Sequence, residues 1–264
     1  MGKQTAYWER NPDEARTLVL LHGFRGNHKG LTDLAQHLAG FRLILPDLPG
    51  YGESEPLGVP HTLTHYAQWL DQFAAALDLK SWASCGHSYG GSIVLIQAVT
   101  GRRRPDAVVA MALAAVRQGW GSTLAAAYYE AGRVLPPRLR QRWIADRLLD
   151  HAAGRWLFRT VTPKRRRELM RRGDRNLPEL NPQVVTEEYL STLRTDLAPY
   201  ATAVKAPMLV IAGARDIIVP LGRVKRLVAL MPHGTLVVME DEGHLAPIEE
   251  PATTASIIKR FLAH

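Results

Sequence analysis

The sequence predicts a fold of the α/β class: a mostly parallel central sheet flanked by helices, with a helical segment inserted part-way along the chain. Three observations predict it. Short apolar runs alternate with stretches of helical spacing as far as Leu113. The strand pattern then disappears between residues 117 and about 200, where helical stretches are broken at Pro136-Pro137, Pro163, Pro178 and Pro182. It resumes at Met208 and continues nearly to the end. Residues 1–116 and 201–264 are therefore expected to form one sheet-based core, and residues 117–200 a helical insertion.

The elements follow in order. Ala6 to Glu9 and Thr17 to Leu21 read as strands across the turn Asn11-Pro12-Asp13-Glu14, a hairpin feeding a central strand. Leu31 to Leu38 has helical spacing, and Phe41 to Leu45 is a short apolar strand closed by Pro46. His61 to Leu77 is a long amphipathic helix. Trp82 to Cys85 is a strand, Gly91 to Val99 a helix and Ala107 to Leu113 a strand. After the insertion come Met208 to Ala212 as a strand, Leu221 to Leu230 as a helix, Thr235 to Met239 as a strand and Ala252 to Leu262 as a final helix.

Bulk properties narrow the function classes. With 264 residues, 46% of them hydrophobic and 22% charged, the chain can build one large core. The apolar run Ala107 to Val116 is about half of the ~20 residues that a membrane-spanning helix needs, so no membrane association is expected. The opening Met1-Gly2-Lys3-Gln4-Thr5-Ala6 has no apolar leader, and Cys85 is the single cysteine, which excludes internal disulfides. A cytoplasmic location is expected. The net charge of +8 is concentrated in the insertion, where 16 Lys and Arg face 9 Asp and Glu. Arginine outnumbers lysine 26 to 7 throughout, so the runs Lys164-Arg165-Arg166-Arg167 and Arg102-Arg103-Arg104 read as compositional bias on solvated helices, and no nucleic-acid partner is inferred.

Gly86-His87-Ser88-Tyr89-Gly90 fits the G-x-S-x-G elbow and lies between a strand and a helix, where a sharp turn presents Ser88 at the carboxyl end of the sheet. A serine hydroxyl needs a histidine to take its proton. Of His233 and His244, which bracket the strand Thr235 to Met239, only His244 lies at the carboxyl end beside Ser88. Asp216, after Gly213-Ala214-Arg215, ends the preceding strand and supplies the acid that orients the imidazole, with Asp47 the first alternative. An oxyanion requires two backbone N–H donors, for which Tyr89 and Phe24 are placed, Phe24 by the turn His22-Gly23-Phe24. Substrate contacts are expected from Arg25 and His87 beside these turns, and from Trp120, Tyr128 and Trp143 of the insertion. If one or two arginines of the insertion turn inward among those aromatics, the substrate is anionic and partly apolar.

His61 and His65, four apart, lack a third metal ligand and read as a solvated helix face. Gly50-Tyr51-Gly52 lacks the strand–turn–helix setting of a dinucleotide fingerprint, and Cys85 reads as core packing. No cofactor or metal is inferred.

These motifs, with Asp47-Leu48-Pro49-Gly50-Tyr51-Gly52-Glu53-Ser54 and Gly243-His244-Leu245-Ala246-Pro247, resemble the α/β-hydrolase family in its esterase, lactonase and carbon–carbon-bond hydrolase branch. The resemblance implies the α/β-hydrolase fold, with the insertion as a helical cap over the site. It implies a triad of Ser88, Asp216 and His244 and an oxyanion hole of Phe24 and Tyr89. Serine at position 88 disfavours the family members that use an aspartate nucleophile. The expected activity is hydrolysis of a small-molecule carboxylic ester or lactone through an acyl-enzyme. The same triad would also serve carbon–carbon bond hydrolysis, acyl transfer, or a ligand receptor of slow turnover.

Overall fold

A computed structural model of the chain describes residues 4–114, 127–131, 134–136, 138–139 and 180–263. The expected pocket residues Trp120 and Trp143, and the arginine run at 164–167, lie outside these. Among the described residues seven strands form one sheet: β1 (Tyr7–Arg10), β2 (Thr17–Leu21), β3 (Arg42–Pro46), β4 (Trp82–His87), β5 (Ala107–Met111), β6 (Met208–Gly213) and β7 (Gly234–Met239). Their order across the sheet is β1-β3-β2-β4-β5-β6-β7. All neighbours are parallel except β1 and β3.

The expected hairpin is not formed. β1 pairs with β3, Tyr7 opposite Pro46, and not with β2. The reason is burial: all five residues of β2 are buried between the parallel neighbours β3 and β4, while β1 is largely exposed and suits an edge.

Period-two alternation along the strands feeds two cores, one on each face. Val19, Leu21, Val108, Ala110, Met208 and Val210 face the first, and Leu18, Leu20, Val109, Met111, Leu209 and Ile211 the second. The first core is covered by α2 (Leu63–Ala76), α3 (Tyr89–Thr100), α4 (Pro182–Arg194), α5 (Ala198–Ala203) and α6 (Leu221–Val228); the second by α1 (Thr32–Gln36) and α8 (Pro251–Leu262). A short helix, α7 (Ala246–Glu249), precedes α8. In α2 the buried positions Leu63, Tyr66, Ala67, Leu70, Phe73 and Ala74 recur at helical spacing, and the Thr62 hydroxyl caps the first turn by accepting from the His65 N–H. α4 starts at Pro182 under the Asn181 cap, and its Val184 and Val185 share the first core with α2 and α3. Among the described residues no helix is long and apolar enough to cross a membrane.

α3 is the central helix, buried from Tyr89 to Ala98, and its N-terminus abuts the end of β2. A methyl group on Gly90 would lie 2.6 Å from the His22 carbonyl oxygen and 2.8 Å from that of Leu21. Both obstacles are main chain and cannot swing aside. Gly90→Ala is therefore expected to lower stability by about 1–3 kcal/mol, the usual range for overpacking, measured as a fall in the urea midpoint with an unchanged slope.

Candidate active site

Four strand ends meet at the site. At the end of β4, Ser88 has φ 52° and ψ −112°, a left-handed backbone that L-residues rarely adopt. It is held there by its own peptide groups. The Ser88 N–H donates to Met111 O at 2.8 Å, and Ser88 O accepts from the Ala114 N–H at 3.2 Å. The turn also needs the glycines around it, since a side chain on Gly86 would run into the main chain of Gly90 and Gly91.

Asp216 and His244 are brought together by main-chain contacts between the turns after β6 and β7. Ala214 N–H donates to Met239 O and Arg215 N–H to Glu242 O, both at 2.9 Å. Gly213 packs so closely that an added Cβ would strike the carbonyls of Glu242 and Gly243. The result is a continuous chain of side-chain hydrogen bonds. The Ser88 hydroxyl donates to His244 Nε2 at 2.9 Å, and His244 Nδ1–H donates to Asp216 Oδ2 at 2.8 Å. The other Asp216 oxygen, Oδ1, accepts from the N–H groups of Ile218 and Val219, each at 2.8 Å. One carboxylate thus caps its own turn and orients the imidazole. All three side chains are buried. Asp47, the alternative acid, is engaged elsewhere: Oδ1 bonds the backbone and ring of His28 at 2.7 and 2.8 Å, and Oδ2 accepts from the Glu53 N–H.

The turn after β2 lies against Ser88. A Cβ on Gly23 would sit 3.1 Å from Ser88 Cβ, which places the next residue, Phe24, beside Ser88. Tyr89 opens α3, where the first backbone N–H groups have no intrahelical acceptor. Behind the turn, His22 is fully desolvated. Its Nδ1–H donates to Gly23 O and its Nε2 accepts from the Leu48 N–H, both at 2.9 Å, and burial pushes its pKa down to about 4. Sequence reasoning did not single out this staple; a histidine opening a turn that must not move was the available signal.

The remaining predicted contacts divide. His87 is buried: its Nε2–H donates to the main-chain oxygen of His244 at 2.9 Å, and burial pushes its pKa down to about 4. This bond ties the end of β4 to the chain at His244. Arg25, half-buried with φ 58°, acts electrostatically on Tyr51. Tyr128 packs edge-on against Tyr129, and it is Tyr129 that reaches the site, edge-on to Phe24 with centroids 6.5 Å apart. Tyr129 also stacks at 4.3 Å on Tyr189 of α4, which is 6.0 Å from Phe24. Tyr189 was missed, since nothing in a polar helical segment marks which face turns inward.

His61 corrects another expectation. It precedes α2 and is buried, accepting from the Leu57 N–H at 3.1 Å and donating to Glu187 Oε2 at 2.8 Å. Among the described residues no group of three or more His, Cys, Asp and Glu side chains could hold a metal ion. Cys85 is fully buried in β4, and burial pushes its thiol pKa well above the ordinary range.

The sheet order and the serine at a strained strand-to-helix turn define the α/β class of proteins that carry a serine, an aspartate and a histidine beyond strand ends of one sheet. The chain belongs to the alpha/beta hydrolase fold family, whose model matches residues 16–251. It is 25% identical to lipase 1 of Psychrobacter immobilis over 98% of this chain and 81% of the lipase. It is 29% identical to a pimeloyl-[acyl-carrier protein] methyl ester esterase of Xanthomonas axonopodis pv. citri, over 93% of this chain and 94% of that protein. Its fold is similar to that of the enol-lactonase from Burkholderia xenovorans LB400, with a TM-score of 0.81 at 19% identity, over 100% of this chain and 98% of the other. The two sequence relatives are named as a lipase and a methyl ester esterase, and the likeness to the enol-lactonase is one of fold.

His22 and His87 stay neutral in the fold to about pH 4 but protonate near 6.5 when unfolded. Between those values the unfolded chain binds the extra protons, so stability falls as pH is lowered from about 6.5 to about 4. Each histidine contributes a slope of up to about 1.4 kcal/mol per pH unit. His87→Gln, which keeps a donor for the His244 carbonyl but cannot charge, is expected to flatten part of that slope in urea unfolding at pH 7 and pH 5.

Proposed function

We propose that the protein hydrolyses carboxylic esters or lactones with Ser88 as nucleophile, His244 as general base and then acid, and Asp216 as the group that orients the imidazole. The observation that supports this most is the unbroken run of short hydrogen bonds from Ser88 through His244 to Asp216. As Ser88 Oγ attacks the substrate carbonyl, its proton passes to His244 Nε2, and the imidazolium is stabilised by the Asp216 carboxylate. The developing oxyanion is taken by the Phe24 and Tyr89 N–H groups. The alcohol leaves with the proton from His244, giving an acyl-enzyme, and a water activated by the same histidine releases the acid. The strained Ser88 backbone keeps the hydroxyl at the apex of the turn, where both the histidine and the carbonyl reach it.

Phe24, Tyr129 and Tyr189 make an aromatic wall beside this centre, which favours an apolar or aryl portion in a small-molecule substrate. We assign residues 117–200 to a cap over that wall, with α4 as its anchored end. An anionic substrate group is supported by the basic composition of this segment. A cytoplasmic site of action fits a single cysteine that can form no internal disulfide.

An organophosphate probe is expected to label Ser88. Ser88→Ala should abolish labelling and lower turnover of a short-chain aryl ester by about a million-fold, with the thermal midpoint little changed. Labelling that survives in this variant would remove Ser88 from the role. Asp216→Asn should retain the fold and lose about 10⁴ in kcat, because an amide facing Nδ1 holds the imidazole in the wrong tautomer; near-normal turnover would reject Asp216 as the orienting acid.

A further inference from the structure

α4 carries two adjacent residues with opposite surroundings. Tyr189 joins the aromatic wall against Tyr129 and Phe24. Glu188 points into the core, is 0% exposed, and accepts a 2.6 Å hydrogen bond at Oε2 from the hydroxyl of Tyr51. Tyr51 belongs to the turn after β3, and the same turn presses on α4 at Gly50, where an added Cβ would lie 2.7 Å from Val184 Cγ2. Here the helix bearing the aromatic wall is fastened to the turn after β3.

Among the described residues the fastening has no counter-charge. Among the described residues no lysine, arginine or histidine pairs with Glu188. The groups that face it are the phenols of Tyr51, Tyr66 of α2 and Tyr89 of α3. Arg25 acts on Tyr51, and the neighbouring Glu187 is turned to His61. The Tyr66 hydroxyl, which interacts with the Glu188 carboxyl, already donates its proton to Pro49 O at 2.7 Å. Glu188 Oε1 has no hydrogen bond of ordinary length. An ionised carboxylate would leave that oxygen bare in the core, whereas a protonated one can direct its O–H to the Tyr66 oxygen, which still has lone pairs to accept it. Burial accordingly pushes the Glu188 pKa up to about 8.

We propose that Glu188 is a positioning residue that works as an uncharged carboxylic acid, tying α4 to Tyr51 and so holding Tyr189 against Phe24 beside the nucleophile. The aromatic wall then keeps its place while Glu188 is protonated and loosens once it ionises. The importance of that wall to the substrate rests on the proposed ester hydrolysis; the buried acid itself does not.

Glu188→Gln keeps the shape and the acceptor for Tyr51 but cannot ionise. The sign follows from linkage. Unfolded, the carboxyl ionises near 4.5, and folded near 8, so between these values the wild type loses stability as pH rises, and above about 8 its deficit is constant. The thermal midpoint of Glu188→Gln relative to wild type should therefore rise by several degrees from pH 5 to pH 8 and then level off. A gap that does not change with pH would overturn the uncharged acid. A Tyr189→Trp reporter, read as the difference from its parent, should shift its emission to the red as pH passes 8, and should not do so when Glu188→Gln is added. Equal shifts with and without Glu188→Gln, or none in either, would overturn the link to Tyr189. In the ester assay, kcat/KM of the wild type should fall above pH 8 while that of Glu188→Gln holds, and parallel profiles would count against the link. The first two readouts need no turnover, so failure of ester hydrolysis with both positive would reject the catalytic reading and leave Glu188 as assigned.

Discussion

The backbone of Ser88 is the constraint on which the rest of the site depends. A non-glycine residue at φ 52° and ψ −112° is disfavoured by roughly 1–3 kcal/mol and persists only where its surroundings over-determine it. Here both of its peptide groups are bonded to the next strand and its continuation, through Met111 O and the Ala114 N–H. β5 is therefore more than a structural neighbour of β4. Gly86 follows from the same turn, because a Cβ there would meet the main chain of Gly90 and Gly91, and Gly90 follows from the carbonyls of Leu21 and His22 pressed against it.

The sheet order does the rest of the assembly. β2, β4, β5 and β6 lie side by side, so the turn bearing Phe24 falls on one flank of Ser88 and the turn bearing Asp216 on the other. β7 adds His244 from the edge, and the bonds of Ala214 and Arg215 to the chain after β7 carry the imidazole back toward the serine. Two neutral histidines stiffen opposite sides of this arrangement. His22 joins the turn after β2 to Leu48, and His87 donates to the carbonyl of His244, the residue whose ring is hydrogen-bonded to Ser88. Desolvation makes both suitable, since a charged imidazole at either place would have no solvent to receive it.

What the sequence made legible was whatever is written in local periodicity or in turn chemistry. The strands Thr17–Leu21 and Met208–Gly213, the long helix after His61, the elbow at Ser88, and the choice of His244 over His233 all follow from residues close together in the chain. Features created by distant pairing were not legible. β1 skips its sequence neighbour because β2 is covered on both sides, and that is a property of the finished sheet. His61 looked solvated because its partner, Glu187, is far along the chain. The places of Tyr189 and Glu188 were hidden for the same reason: a polar helix does not announce that one glutamate turns inward to meet phenols.

The burial of Cys85 has a practical side. It is the single cysteine of the chain, sealed in β4, and burial suppresses its thiolate. Thiol-directed reagents thus find a silent background in the native protein, so a cysteine introduced at any exposed position would accept one spin label or fluorophore stoichiometrically. Probes could be placed one at a time, or in pairs for a distance, on described exposed positions without first removing a native thiol.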